Sequence, residues 1–277
     1  MKLIAVGDNV TDCYLDEGIY YPGGNAVNVA VDCKRDGAEK VNYIGVFGND
    51  DRADYIRACM EEEGVTCERS RKVFAPTCQP GVKINEEGDR IFVGGIRDTC
   101  QHLFSIRLQR EDLEVIKEYD ICHTSCYSNL EYELETLSRV CKVSFDFSDE
   151  HDDDYMKRVC PFVTYAFFSG SDMSEEEIRD VVSHMRECGI PCDAIHLDID
   201  YMDHYKVFTW TPDKERYPDP EKMIADLAKD GIKIITIIDP GVKLEEGYSV
   251  YDKGVENGYF ATTPEGEIYV NAVWPGD

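Results

Sequence analysis

Short apolar runs alternate with stretches of helical period along most of this chain, and that alternation limits the fold more than any other feature. Residues 3–7, 41–48, 120–126, 143–147 and 162–168 read as buried strands. Between them, residues 25–35 carry helical spacing and stop at Gly37, and residues 51–63 do the same and stop at Gly64. Strands separated by helices pair in parallel, so an α/β sheet with helices on its faces is expected. Residues 77–84 and 89–93 flank the turn Asn85-Glu86-Glu87-Gly88 and read as a hairpin. With residues 18–21 they predict a small β-layer standing off the main sheet.

The pattern continues to the end of the chain with changed content. Residues 174–188 give the clearest helix: Ser174 and Glu177 form a capping box, and Ile178, Val181, Val182 and Met185 form its apolar stripe. A strand at 194–199 and a helix at 220–229, with Met223, Ile224 and Leu227 facing inward, follow. The β-branched run 233–238 reads as a strand buried on both faces. Beyond Gly241 the turns Glu246-Gly247, Asn257-Gly258 and Glu265-Gly266 predict irregular chain.

The charge of −27 comes from 56 Asp and Glu against 29 Lys and Arg. Residues 1–190 and the remainder are both acidic, so no charged tail explains it. Such a field repels phosphate backbones and anionic lipid, which argues against nucleic acid and membrane partners. No apolar run approaches the ~18 residues of a membrane span, and the start lacks a secretory signal. A cytoplasmic protein is expected. The twelve cysteines include no CxxC pair and no His partners at zinc spacing, so reduced thiols are expected and no metal site is assigned.

Four motifs fall in order at strand ends in the first two thirds. They are Gly7-Asp8-Asn9 with Asp12, the run Gly23-Gly24-Asn25-Ala26-Val27-Asn28-Val29-Ala30, the run Gly45-Val46-Phe47-Gly48-Asn49-Asp50, and Phe145-Asp146-Phe147-Ser148-Asp149. A Gly-Gly turn leaves backbone amides open to a polar ligand and leads here into a helix whose dipole favours oxygen-rich groups. Asp12 can accept two hydroxyls, and Asn28 can donate and accept. These motifs resemble the ribokinase/phosphofructokinase-B sugar kinase family, most nearly its fructoselysine 6-kinase branch. The resemblance implies a three-layer, Rossmann-like parallel sheet over residues 1–189 with a β lid at about 66–95. It further implies sugar or fructosamine binding by Asp12, Gly23, Gly24 and Asn28, a homodimer paired through the lid, and ATP and magnesium wherever phosphoryl transfer is carried out. The family's Asp-Thr-x-Gly-Ala-Gly-Asp run, which supplies the anion hole and the aspartate base, does not occur in this sequence. No catalytic residue is therefore assigned.

From Ile190 a second set appears: His196-Leu197-Asp198-Ile199-Asp200, then Val207-Phe208-Thr209-Trp210, Ile235 to Gly241, and Val273-Trp274-Pro275-Gly276. Alternation places His196, Asp198 and Asp200 on one strand face and Leu197 and Ile199 on the other. This set resembles the early strands of the (β/α)8 barrel of glycoside hydrolase family 31, the α-glucosidase group. The resemblance implies sugar contact by Asp198, with Ile238 and Trp274 lining the subsite. Retaining hydrolysis needs two carboxyl groups about 5–5.5 Å apart, and the family's nucleophile motif lies past the Trp-Pro-Gly turn. The expected whole is a carbohydrate-related chimera, a kinase-like sheet over residues 1–189 extended by a strand–helix–strand piece from residue 190, with the catalytic groups of neither family.

Overall fold

The computed structural model describes residues 1–84, 90–148, 150, 152–168, 174–187, 194–197, 199–211, 217–238 and 241–270. In chain order the first 168 residues give β1 (Lys2–Gly7), β2 (Val10–Tyr14), β3 (Ile19–Gly23), α1 (Asn25–Arg35), β4 (Lys40–Phe47), α2 (Asp51–Glu62), β5 (Arg71–Lys72), β6 (Pro80–Ile84) and β7 (Arg90–Gly95). Then come α3 (Cys100–Leu103), α4 (Arg110–Ile116), β8 (Ile121–Ser125), α5 (Leu134–Ser138), β9 (Lys142–Asp146), α6 (Asp153–Val159) and β10 (Tyr165–Phe167). Later residues add α7 (Glu175–Glu187), β11 (Ala194–Leu197), α8 (Pro220–Lys229), β12 (Lys233–Thr236) and α9 (Ser249–Asn257). The chain divides into two compact units. The first is drawn chiefly from Met1–Lys83 and Arg90–Phe168, the second chiefly from the residues after Phe168.

In the first unit six strands form a sheet in the order β10-β9-β8-β1-β4-β5. Every pairing in it is parallel. β1 and β4 are nearly continuous apolar runs because both faces are covered, as parallel sheets require. Leu3, Ala5, Tyr43 and Phe47 share one core with Val27 and Ala30 of α1 and Ile56 and Met60 of α2. The alanines on the inner face of α1 let the helix approach β1, and burying Val27 there contributes about 1.5–2 kcal/mol. Asp50 starts α2 by accepting from Ala53 N at 3.0 Å. The same carboxylate accepts from Thr77 N at 2.7 Å and Thr77 Oγ1 at 2.6 Å, which ties the helix start to the chain leading into β6.

The second sheet has the order β3-β2-β6-β7. It is the expected β-layer with two corrections. Asp12 lies within β2, paired with Tyr21 of β3, and not at the end of the first strand. Residues 71–72 belong to the main sheet beside β4, and the separate layer takes up the chain again at Cys78, which bridges Val10, and Pro80. The turn at 85–88 lies outside the described residues.

In the second unit β11 and β12 pair in parallel, with α8 in the connection. Among the described residues they form a two-stranded sheet of their own. Helix α7, expected with the kinase-like segment, belongs to this unit. Its capping box is present: Ser174 N donates to Glu177 Oε2 at 2.7 Å, and Glu177 N donates to Ser174 Oγ at 3.4 Å. Ile178, Val182 and Met185 are buried as the stripe requires. Three expectations fail. Ile224 is exposed where α8 was to bury it, because the inward stripe is carried by Met223 and Leu227 alone. The 233–238 run is not buried on both faces: Ile235, Ile237 and Ile238 are exposed. Residues 249–257 form a helix, not irregular chain. Gly254 is buried against the Phe260 ring, where an added Cβ would come within 2.4 Å of it, and Asn257-Gly258 is the helix stop, with Gly258 at φ 64°.

Candidate functional site

The sheet order sets where a ligand can sit. From β1 the chain proceeds outward through β4 to β5 on one side, then returns to β8 and proceeds outward through β9 to β10 on the other. The crevice at the carboxyl ends of β1 and β8 is the topological switch point, where open α/β sheets bind ligands. The residues that converge there are Asp8 after β1, the Gly23-Gly24-Asn25 turn, His123 and Ser125 of β8, Ser128, and Asp146 at the end of β9.

Asp8 organises the turn. Helix α1 begins after Gly24, which has no side chain to cap it. Asp8 supplies the cap from a distance: Oδ2 accepts from Asn25 N at 2.7 Å and Oδ1 from Ala26 N at 3.4 Å. Ser128 Oγ donates to Oδ1 at 3.1 Å and Ser125 Oγ reaches it at 3.5 Å. Asp8 is 6% exposed and faces the N-terminal end of α1. Asp8 thus takes the two amides that follow the Gly-Gly pair, those of Asn25 and Ala26.

The glycines are demanded by close packing. Gly24 has φ 104°, and a Cβ there would stand 2.9 Å from both the backbone oxygen and Oδ2 of Asp8. At Gly23 the Cβ would stand 2.6 Å from Oδ2 of Asp12. The carboxylate of Asp12 thus lies directly over Gly23, next to Gly24. Asn28 sits one turn into α1 with its side chain exposed, at the edge of this group.

A second chain of contacts joins the helix start to β8 and β9. Asn25 Nδ2 donates to Asp146 Oδ2 at 2.7 Å, and Asn25 Oδ1 lies 2.8 Å from His123 Nε2. His123 Nδ1 lies 2.9 Å from Ser144 Oγ. Asp146 Oδ1 accepts from Ser148 N at 2.8 Å, and Tyr127 OH donates to Ser148 Oγ at 2.8 Å. Sequence reading missed Asp8 and His123 as site residues. The available signals were an acidic residue directly after β1 facing a helix without its own cap, and a histidine inside an apolar strand.

Burial pushes the His123 imidazole down to about 4. Because the folded value lies below the unfolded one, the unfolded chain takes the proton first as pH falls. Stability of the first unit is then unaffected above about pH 6.5 and declines between there and pH 4, by about 3 kcal/mol in all. Denaturant titrations across that range check this, and His123→Gln flattens the decline.

The hydrogen-bonding members of this group are carboxylates, hydroxyls, an amide and a neutral imidazole. None is Lys or Arg, so the donor set suits a polyhydroxylated ligand and does not fit a triphosphate. Among the described residues no group of three His, Cys, Asp or Glu converges to hold a metal ion.

In the second unit the glucosidase-like residues are mostly out of view. Asp198 and Trp274 lie outside the described residues, as does the side chain of Asp200. His196 faces out and Leu197 in, as alternation required. Ile238 lies just past β12 and is 48% exposed. Trp210 packs between Tyr201 and Tyr217, with ring centroids 4.9 Å and 5.8 Å away.

The model of the pfkB family carbohydrate kinases matches residues 1–158. The chain belongs to that family. A second model, the glycosyl hydrolases family 31 TIM-barrel domain, matches residues 158–277. The chain is similar to fructosamine kinase FrlD of Bacillus subtilis, with 48% identity over 181 residues, covering 65% of this chain and 63% of that protein. It is also similar to α-glucosidase 2 of Bacillus thermoamyloliquefaciens, with 43% identity over 103 residues, covering 37% of this chain but only 13% of that protein. The pfkB member described here thus spans under two thirds of the kinase and a small part of the glucosidase. Ribokinase from Giardia lamblia superposes with a TM-score of 0.56 at 17% identity, covering 68% of this chain and 65% of that one. A carbohydrate kinase from Agrobacterium tumefaciens gives 0.54 at 18% identity, covering 69% and 68%. These likenesses show the ribokinase-like fold. Among the described residues no helix is long and apolar enough to cross a membrane.

Proposed function

We propose that the first unit binds a fructosamine-class sugar at the switch point, and that these 277 residues do not by themselves transfer phosphate to it. The observation that carries the reading is the Asp12 carboxylate lying over Gly23 beside a turn already locked by Asp8. Carboxylates and hydroxyls at close quarters recognise sugar hydroxyls through charge-assisted hydrogen bonds. The protonated amine of a fructosamine is favoured by the net charge of −27. The likeness to a fructosamine kinase points to the same substrate class. Phosphoryl transfer depends on neutralising phosphate charge, and neither the described group nor any Asp-Thr-x-Gly-Ala-Gly-Asp run in the sequence supplies that.

Titration calorimetry with fructosyl-lysine, followed by an ADP-release assay on the same sample, is the test. Saturable heat is expected, weakened at least tenfold in Asp12→Ala, which removes a charged hydrogen-bond acceptor of about 1.5–3 kcal/mol. No ADP is expected above the sugar-free rate. Absence of heat, or ADP release at an ordinary enzymatic pace, would overturn the proposal.

A further inference from the structure

We propose that His123 is a positioning residue for the sugar turn: its Nε2–H tautomer fixes the side-chain amide of Asn25, the first residue after Gly23-Gly24. The inference rests on the sugar-binding reading for its purpose, but its geometry is independent of any ligand.

The polarity of the chain of contacts is forced from one end. An ionised Asp146 can only accept, so the Asn25 group 2.7 Å from it is the amide nitrogen. The Asn25 oxygen then faces His123 at 2.8 Å, and an oxygen without a proton requires Nε2–H opposite it. A neutral ring with its proton on Nε2 leaves Nδ1 bare, so Ser144 Oγ donates to Nδ1 across 2.9 Å. Each group thus has one role, and the amide of Asn25 has one orientation. His123 is 4% exposed, so water does not compete for either ring nitrogen. Its backbone pairs with both flanking strands, opposite Ala5 of β1 and Ser144 of β9, which fixes where the ring starts. The charged groups nearest along this chain are Asp146, through Asn25, and Asp8, through the Asn25 backbone amide.

The role is separable from mere packing. His123→Leu keeps apolar volume and removes both ring nitrogens. His123→Gln returns an amide donor at about the position of Nε2. The test is ¹⁵N–¹H correlation on the histidine rings and asparagine side chains of the ligand-free full chain at pH 7, followed by fructosyl-lysine titration of the three proteins. The wild-type ring is expected in the neutral Nε2–H form. The Asn25 side-chain amide signals are expected to move in His123→Leu and to return in His123→Gln. Sugar affinity is expected to fall about tenfold in His123→Leu and to recover to within about threefold in His123→Gln, the scale of one buried hydrogen bond. A ring carrying its proton on Nδ1, an imidazolium at pH 7, or Asn25 signals unmoved in a folded His123→Leu protein would overturn the proposal. A wild-type protein that takes no sugar would refute the binding reading alone, because the ring and amide signals decide the positioning role without ligand.

Discussion

Gly24→Val is expected to lower the unfolding free energy of the first unit by about 4 kcal/mol and to abolish sugar binding. Two separate costs combine at this position. The backbone stands at φ 104°, where residues with a Cβ are strained. The side chain would also meet Asp8 backbone oxygen and Oδ2 at 2.9 Å and Asn9 Cα at 3.1 Å. Two of these three atoms are backbone, so the neighbour cannot turn aside. Moving Asp8 would also withdraw the cap from Asn25 N and Ala26 N and unseat Ser128. Gly37 provides the control. It has φ 91° but nothing within 4 Å of a built Cβ, so Gly37→Ala isolates backbone strain at about 1 kcal/mol. Urea unfolding of both variants measures the difference, and equal losses would remove the steric argument.

Asp112→Ala is expected to cost about 4 kcal/mol, the scale of breaking a buried ion pair by removing one partner. The Asp112 side chain is fully buried, and Arg69 and Arg71 close on it from the chain entering β5 and from β5 itself. Gln109 N also donates to it, at 2.8 Å, which starts α4. Its loss leaves two guanidinium groups and a helix amide facing an empty acceptor position. Burial pushes the Asp112 carboxyl up, but Gln109 N–H and the two arginines outweigh it, so the group stays below its usual range. A depressed carboxylate contributes stability above its unfolded value near 4 and loses it as pH falls through the folded one. Asp50 behaves in the same way, its burial outweighed by donors from Thr77 and Ala53. Acid unfolding should therefore run in two stages. The His123 decline comes first, between about pH 6.5 and 4, and the carboxylate losses follow below it. Asp112→Ala should remove part of the second stage and leave the first intact.

The elements that position the site were legible because each is dictated locally. β1 and β4 are apolar throughout, α1 follows directly on Gly23-Gly24, and Gly37 and Gly64 stop their helices, at φ 91° and 79°. The pairing of Asp12 with the Gly-Gly turn was also within reach, since a glycine beside a carboxylate marks close approach. The long-range polar chain was not. Asn25 and Asp146 are 121 residues apart, His123 and Asn25 98, and nothing local sets them side by side. Their meeting depends on β8 and β9 returning to the far side of β1, which only the sheet order reveals. The second unit misled for a different reason. Lys233–Thr236 has the composition of a strand covered on both faces, yet one face is left uncovered: Ile234 is half-buried while Ile235 and, just past the strand, Ile237 are exposed. In α9 a buried glycine and an Asn-Gly stop concealed a helix, because both residues ordinarily signal turns.

The most direct test is a map of backbone and side-chain NMR shifts as fructosyl-lysine is added to the uniformly labelled chain. The account predicts saturable changes at Asp8, Asp12, Gly23, Gly24, Asn25 and His123, with the aromatic group of Tyr201, Trp210 and Tyr217 unaffected. Changes confined to that aromatic group, or none anywhere at millimolar sugar, would contradict it.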